Sequence, residues 1–286
     1  VNSTLLAAES PSDDYITISQ APAWRFLEKL DFNEGLIRAR LRSVCDMPIV
    51  EGADRVLNWI SKEKGKFAPL FGVSLKNLEM KSLSAEKISV PENPFELTRE
   101  EAKVIGTEND ETDTIWLGYY NEPRLIYTAP AFKKGPWKAS NRRTVHIAID
   151  VFANKGTKLY APMEGEVFTA EYRDSPLDYG GVVILKHTTP DNDEFFTLYG
   201  HLDPQFLDVL QVGDKIDKGQ EFCKLGGSDV NGGWAPHVHF QIAMTTDGME
   251  ADWPGVADPD DLNFWNSLCP NPASMLNLED HDCVYN

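Results

Sequence analysis

The sequence predicts a mainly β protein, α+β overall, in which a helical N-terminal region precedes an antiparallel β-sheet domain. From about residue 115 onward, strand-type residues alternate with polar ones, and glycine or proline turn signals recur at short intervals. This pattern is typical of strands joined by hairpins. Before residue 66, apolar residues instead recur at the spacing of amphipathic helices. The two regions therefore differ in secondary structure.

These patterns divide the chain into three segments, which are 1–65, 66–130 and 131–286. The first is a helical N-terminal region or linker, in which Pro48 and Gly52 interrupt the helical spacing. The second is irregular with β patches, and its acidic run GTENDETD predicts a solvated loop. The third is the β domain with a C-terminal extension.

Composition excludes several classes of partner. The chain has 286 residues, 42% of them hydrophobic, which is enough for well-packed cores. Its formal net charge of -18 disfavours nucleic acid and anionic membrane surfaces as partners. No stretch approaches the roughly 20 apolar residues of a bilayer span, and VNSTLLAAESPSDD does not resemble a signal peptide. Because the chain starts with Val, we expect a piece of a longer protein, and a removed leader remains the alternative.

The four cysteines predict no cysteine-rich metal site. Cys45, Cys223, Cys269 and Cys283 are far apart and form no CxxC pair. We expect mostly reduced thiols, with a pairing of Cys269 and Cys283 as the alternative.

His237 and His239 form an HxH pair in APHVHF. In a strand, residues two apart point to the same face, so both rings reach one cavity. One ring can bind a metal while the other handles a proton. The alternative for an isolated pair is two surface histidines on a loop.

His146 and Asp150 lie four residues apart in VHIAID, which has strand-type composition. A straight strand would separate them by ~13 Å, so a shared metal requires a bend or bulge. The alternative is an ordinary strand that ends in a turn aspartate. Two histidine nitrogens and one carboxylate oxygen make the ligand set of a catalytic zinc, which leaves a position for water. With His201 in LYGHL, these residues indicate a zinc hydrolase site.

The order of these motifs resembles that of the lysostaphin/LytM-type zinc metallopeptidases. H-x3-D is followed by GTKLYAPMEGEV, then YxHL, then VGDKIDKGQEFCKLGG and HxHF, over about 142–243. The resemblance implies a LytM-type antiparallel β domain with one zinc ion. It implies that the metal ligands are His146, Asp150 and His239, and that His201 and His237 are catalytic histidines that orient the attacking water and stabilise the oxyanion.

The function that the resemblance implies is a zinc-dependent metallo-endopeptidase, which hydrolyses a peptide or related amide bond through a zinc-bound water. N-terminal segments cover the site in this family, so residues 66–130 are expected to pack on or cover the groove. Ala148 stands where the family usually has glycine, and a longer segment places Trp234 near the cleft. Tyr199 and Trp234 are candidates for the substrate groove, with packing as the alternative for Trp234.

The flanking segments resemble the central part of large bacterial fusion proteins. There, an aminoglycoside-phosphotransferase-like kinase domain precedes the peptidase-like unit and a class III aminotransferase follows it. This second resemblance implies covalently linked partner domains and a cytoplasmic location, with a periplasmic or secreted location as the alternative if a leader was removed. The alternative functions are a non-catalytic binding or scaffolding module, and hydrolysis or sensing of a small amino-containing metabolite.

Overall fold

An eight-stranded sheet organises the protein in the computed structural model, which describes residues 50–83, 114–128, 132, 143–246, 250–259 and 262–285. The described helices are α1 (Ala53–Glu63) and α2 (Leu262–Leu268). The described strands are β1 (Glu79–Lys81), β2 (Trp116–Gly118), β3 (Glu122–Pro123), β4 (Val145–His146), β5 (Ile149–Phe152), β6 (Lys158–Tyr160), β7 (Gly165–Arg173), β8 (Gly180–Thr188), β9 (Glu194–Leu202), β10 (Lys215–Ile216), β11 (Glu221–Lys224), β12 (His237–Ala243) and β13 (Val256–Ala257). The helical pattern predicted before residue 50 and the acidic run lie outside the described residues.

The large sheet has the order β1-β2-β5-β12-β9-β8-β7-β10. Within it only β1 and β2 pair in parallel, and the remaining pairs are antiparallel. Two smaller sheets, β11-β6 and β13-β4-β3, complete the described strands. The predicted mainly β, antiparallel fold is confirmed.

The centre of the sheet is apolar on both faces. Val182, Val183, Ile184 and Leu185 are consecutive on β8 and all buried, which requires cover on both sides of the strand. On one side α1 contributes Val56 and Ile60, which lie on one helical face and join the same core cluster. The central strands thus form a rigid support for residues at their ends.

The chain leaves one sheet and enters another between His146 and Asp150. His146, on β4, pairs with Glu122 of the small sheet, whereas Asp150, on β5, pairs with His239 of the large sheet. The break at 147–148 brings His146 Nε2 within 3.1 Å of Asp150 Oδ1. The bend predicted from the spacing of these two residues is therefore confirmed.

The C-terminal extension packs against the domain. Trp253, Trp265 and Cys269 are fully buried there, and Tyr120 donates a hydrogen bond to the carbonyl oxygen of Cys269 at 2.8 Å. Cys223, Cys269 and Cys283 are buried and are free thiols in this structure. In the part of the chain that the structure describes, no helix has the length and apolarity to cross a membrane.

His187 is a core histidine on β8. Its Nδ1 lies 2.7 Å from the carbonyl oxygen of Glu164, and its Nε2 lies 2.7 Å from the Thr197 hydroxyl. Burial lowers its pKa from 6.5 to about 4. This ring is thus a neutral part of the core.

We expect His187 to make stability depend on pH. Below pH 6.5 the unfolded chain takes up a proton at this ring, but the folded protein does so only near pH 4, so stability is lost as pH falls through that window. The difference between the two pKa values corresponds to about 3 kcal/mol of the free energy of unfolding at neutral pH. Urea unfolding of the wild type and His187→Gln at pH 7 and 4.5 measures it. The wild-type advantage should shrink by about 2 kcal/mol at the lower pH; an advantage that is the same at both pH values would contradict the assignment.

Candidate metal centre

Three buried side chains converge where β4, β5 and β12 meet. His146, Asp150 and His239 form the metal-ligand cluster among the described residues. His146 Nε2 lies 3.0 Å from His239 Nδ1, and Asp150 Oδ1 lies 3.1 Å from the first nitrogen and 3.5 Å from the second. Ligand atoms around a tetrahedral zinc with bonds of 2.0–2.1 Å are about 3.3 Å apart. The three atoms therefore have the separations that one such ion requires.

The two histidines are fixed in the tautomers that metal binding needs. His146 Nδ1 faces the carbonyl oxygen of Tyr119 at 3.2 Å, and His239 Nε2 faces Gln241 Oε1 at 2.7 Å. Since both oxygens only accept, these nitrogens carry the protons and the opposite nitrogens keep their lone pairs. Gln241 is itself oriented, because its Nε2 donates to the carbonyl oxygen of Pro254 at 3.1 Å. Both free lone pairs face the cluster.

Asp150 contributes one free oxygen to the cluster. Its Oδ2 accepts a hydrogen bond from Arg124 Nη1 at 2.6 Å. Its Oδ1 is buried and has no hydrogen-bond partner among the described residues, although His146 Nε2 lies close by. Burial would raise the pKa of Asp150, but its charged surroundings, above all the Arg124 guanidinium, hold that pKa well below its usual value. An ionised, unpartnered oxygen aimed at two nitrogen lone pairs fits a bound cation.

His201 and His237 lie beside the cluster, and the centres of their rings are 4.3 Å apart. His201 Nδ1 donates to the carbonyl oxygen of Asn231 at 3.0 Å, and His237 Nδ1 donates to that of Ala235 at 2.6 Å. The remaining nitrogen of each ring is thus a proton acceptor. Burial lowers the pKa of both rings, so both are neutral near pH 7 in the metal-free protein. His146 also has a lowered pKa, about 3, chiefly because it is buried.

A bulge in β9 directs His201 toward the cleft. Tyr199 pairs with Val183 of β8, and Leu202 pairs with Gly181, so two residues of β9 oppose one of β8. His201 itself has φ 64, which is uncommon for a residue other than glycine. Tyr199 pairs with Phe240 and not with His239. The bulge thus places Tyr199 and His201 on opposite faces of the sheet.

The two groove candidates have different positions. Trp234 lines the cleft, and its ring centre lies 5.8 Å from that of His201. Tyr199 is fully buried, packs against Phe222 and Phe240, and is not among the residues that line the cleft. The structure therefore brings together Trp234 with the five histidine and aspartate residues, and it places Tyr199 in the core.

The cleft is a cavity of about 350 Å³ with aromatic walls. The loop before β12 presents Trp234, because Asn231 Oδ1 accepts from its backbone N–H and Asn231 Nδ2 donates to its carbonyl oxygen, both at 2.9 Å. Tyr127 and Phe132, from the segment before β4, contact each other with ring centres 4.7 Å apart and also line the cleft. Residues that precede β4 in the chain thus form one wall of the cleft.

Four contributing residues were not predicted from the sequence. Gln241 and Asn231 orient His239 and the Trp234 loop, Arg124 holds Asp150, and Tyr127 lines the cleft. Gln241 had a usable signal, because residues two apart on a strand share a face and it follows His239 by two. The others come from loops or another sheet and carry no local signal.

The fold and site define a β protein with a His/Asp/His metal-ligand cluster and two accompanying histidines. Residues 144–251 match the model of Peptidase family M23. This match and the strand topology agree with the LytM/lysostaphin-type peptidase fold predicted from the motifs.

Several solved structures are similar over part of the chain. A zinc-containing peptidase from Vibrio cholerae aligns at 23% identity and a TM-score of 0.29, over 39% of this chain and 30% of its own. Csd3 of Helicobacter pylori aligns at 24% identity and a TM-score of 0.27, over 39% of this chain and 27% of its own. The catalytic domain of lysostaphin from Staphylococcus simulans aligns at 23% identity and a TM-score of 0.30, over 46% of this chain and 86% of its own. The chain thus spans less than a third of the first two proteins. No curated protein sequence matches it.

Proposed function

We propose that the chain is a zinc-dependent metallo-endopeptidase that hydrolyses a peptide or related amide bond. One observation carries the proposal: the unpartnered, buried Oδ1 of Asp150 faces the free lone pairs of His146 and His239. The match of residues 144–251 to a peptidase family supports the reaction class. Zinc suits a site of two imidazoles and one carboxylate, with room for a further ligand.

His146, Asp150 and His239 would hold the metal. When bound, zinc polarises the scissile carbonyl and lowers the pKa of a water molecule. The protein contributes fixed ligand orientation, because the Tyr119 carbonyl and Gln241 hold the two imidazoles from behind. It also contributes a site with little water, since all three ligands are buried.

His201 and His237 would move the proton. Each presents an Nε2 lone pair, since each Nδ1 donates to a backbone carbonyl. A neutral ring in this state can accept a proton from the attacking water as general base. Once protonated, the same nitrogen becomes a donor that can stabilise the oxyanion or protonate the leaving amine. The lowered pKa values favour the neutral, base-competent form at the start of the reaction.

The substrate would lie along the aromatic cleft. Trp234 and Tyr127 offer flat apolar surfaces beside the histidines, against which an extended peptide can pack. From the flanking sequence we further propose a cytoplasmic setting and covalently linked kinase-like and aminotransferase domains. Fractionation of the full-length protein, followed by mass measurement, tests both statements.

Metal content is the decisive measurement. Protein purified without chelators or a histidine tag is analysed by elemental mass spectrometry as wild type, His239→Ala and His237→Ala. We expect one zinc per chain in wild type, its loss in His239→Ala and its retention in His237→Ala. Wild type that stays metal-free after zinc is added back would contradict the proposal and favour the non-catalytic binding module.

A further inference from the structure

A buried arginine, Arg124, lies against the metal cluster next to Asp150. Arg124 Nη1 donates to Asp150 Oδ2 at 2.6 Å, and Arg124 Nε donates to Glu122 Oε2 at 2.8 Å. The Arg124 side chain is 4% exposed, that of Asp150 is 1% exposed and that of Glu122 is fully buried. A buried guanidinium is retained only with such charged partners, because its desolvation is costly.

The partners around the Arg124 guanidinium are themselves held in place. Glu122 Oε1 accepts a hydrogen bond from the backbone N–H of Leu83 at 2.7 Å, and the Tyr127 hydroxyl lies 3.2 Å from Arg124 Nη1. A Cβ at Gly118 would lie 3.0 Å from Arg124 Nη2 and 3.4 Å from the Cβ of Asp150. The guanidinium therefore occupies a close-fitting space between the two carboxylates.

We propose that Arg124 is a positioning residue for the metal ligand Asp150. By engaging Oδ2, it leaves Oδ1 alone to face His146 and His239, so that the carboxylate binds the metal through one oxygen. This inference rests on the proposed metal site. The charge of Glu122 offsets the repulsion between the guanidinium and a cation, which lets an arginine and a metal share one aspartate.

Lysine is a poor substitute for this role. Arg124 uses Nε for Glu122 and Nη1 for Asp150, so the planar fork sets the angle between the two carboxylates. A single ammonium group cannot reproduce that angle. The proposal therefore depends on the shape of the side chain and not on its charge alone.

The position of Arg124 in the chain adds a second consequence. It precedes residues 144–251, which match the peptidase family, and it lies between β3 and the 3-10 helix Leu125–Thr128. The segment before the matched domain thus completes the ligand environment, in addition to forming one wall of the cleft.

Zinc affinity of the full chain tests the proposal. The variants are Arg124→Met, Arg124→Lys and the control Arg173→Met, titrated against a chromophoric chelator. Arg173 also pairs with two carboxylates, those of Asp178 and Asp252, and in the described part of the chain it makes no ion pair with Asp150. We expect about 10- to 100-fold weaker zinc binding in Arg124→Met, a smaller loss in Arg124→Lys, and no change in the control.

The absorption spectrum of the cobalt-substituted protein reports on the ligands of the metal, and a general loss of stability does not change it. When Oδ2 is released in Arg124→Met, Asp150 can bind through both oxygens, which should change the visible Co²⁺ absorption spectrum. Unchanged zinc affinity and an unchanged cobalt spectrum in Arg124→Met would overturn the role of Arg124 while the metal site stands. Wild type that binds neither metal would overturn the proposed function as well. If Arg124→Met does not fold, Arg124→Lys carries the same two measurements.

Discussion

Alanine in place of His201 or His237 is expected to lower kcat by about 10²- to 10⁴-fold, while the protein keeps its metal. Each ring presents a free Nε2 beside the cluster, and its Nδ1 is bonded to a backbone carbonyl. Neither ring belongs to the His146, Asp150, His239 cluster. Their removal should therefore take away proton transfer and leave metal binding largely intact.

The measurement is steady-state hydrolysis of a peptide selected from a library with the wild type, together with elemental analysis of each variant. If the two rings act as one unit, the double variant should lose little more than either single variant. His187→Gln is the matched control, because its ring is buried but bonds Glu164 and Thr197 away from the cleft. A single variant with normal kcat would remove that ring from the mechanism.

The sequence was most informative where chemistry and backbone geometry could be combined. The pairing of His146 with Asp150 required a bend, since a straight strand would separate them by ~13 Å. The structure has that bend, with the two residues in different sheets. Likewise, the i, i+2 relation of His237 and His239 placed both on one face of β12.

The alternation of side chains along a strand does not predict the position of Tyr199. In a regular strand, residues 199 and 201 would share a face, which would place Tyr199 in the groove beside His201. The bulge opposite Val182 and the positive φ of His201 separate them. Such an irregularity depends on the partner strand, and a single strand sequence does not reveal it.

Contacts between distant segments were beyond sequence reasoning. Arg124 reaches Asp150 across 26 positions, and nothing near either residue predicts the pairing. Gly255 is a second case, because its role depends on what packs against it from other strands.

Alanine at Gly255 is expected to weaken zinc binding and to lower kcat/KM by about 10²-fold. A Cβ there would lie 2.5 Å from the Tyr179 hydroxyl and 2.7 Å from His239 Cε1. Neither group can easily yield, because Tyr179 donates to the carbonyl oxygen of Trp253 and His239 is bonded to Gln241. The added methyl group should therefore displace the imidazole of a metal ligand.

The matched control is Gly156→Ala, which separates this crowding from a general effect of losing a glycine. Gly156 has φ +77 and open space around it, so alanine there should cost about 1–2 kcal/mol in backbone strain but leave the zinc affinity unchanged. Urea unfolding and chelator competition on both variants distinguish the two effects. Normal zinc affinity in Gly255→Ala would mean that the backbone at Gly255 moves away, and that Gln241 holds His239 firmly enough to resist the contact. Reduced affinity with stability close to that of Gly156→Ala would instead show that the close approach of Gly255 keeps the ligand in place.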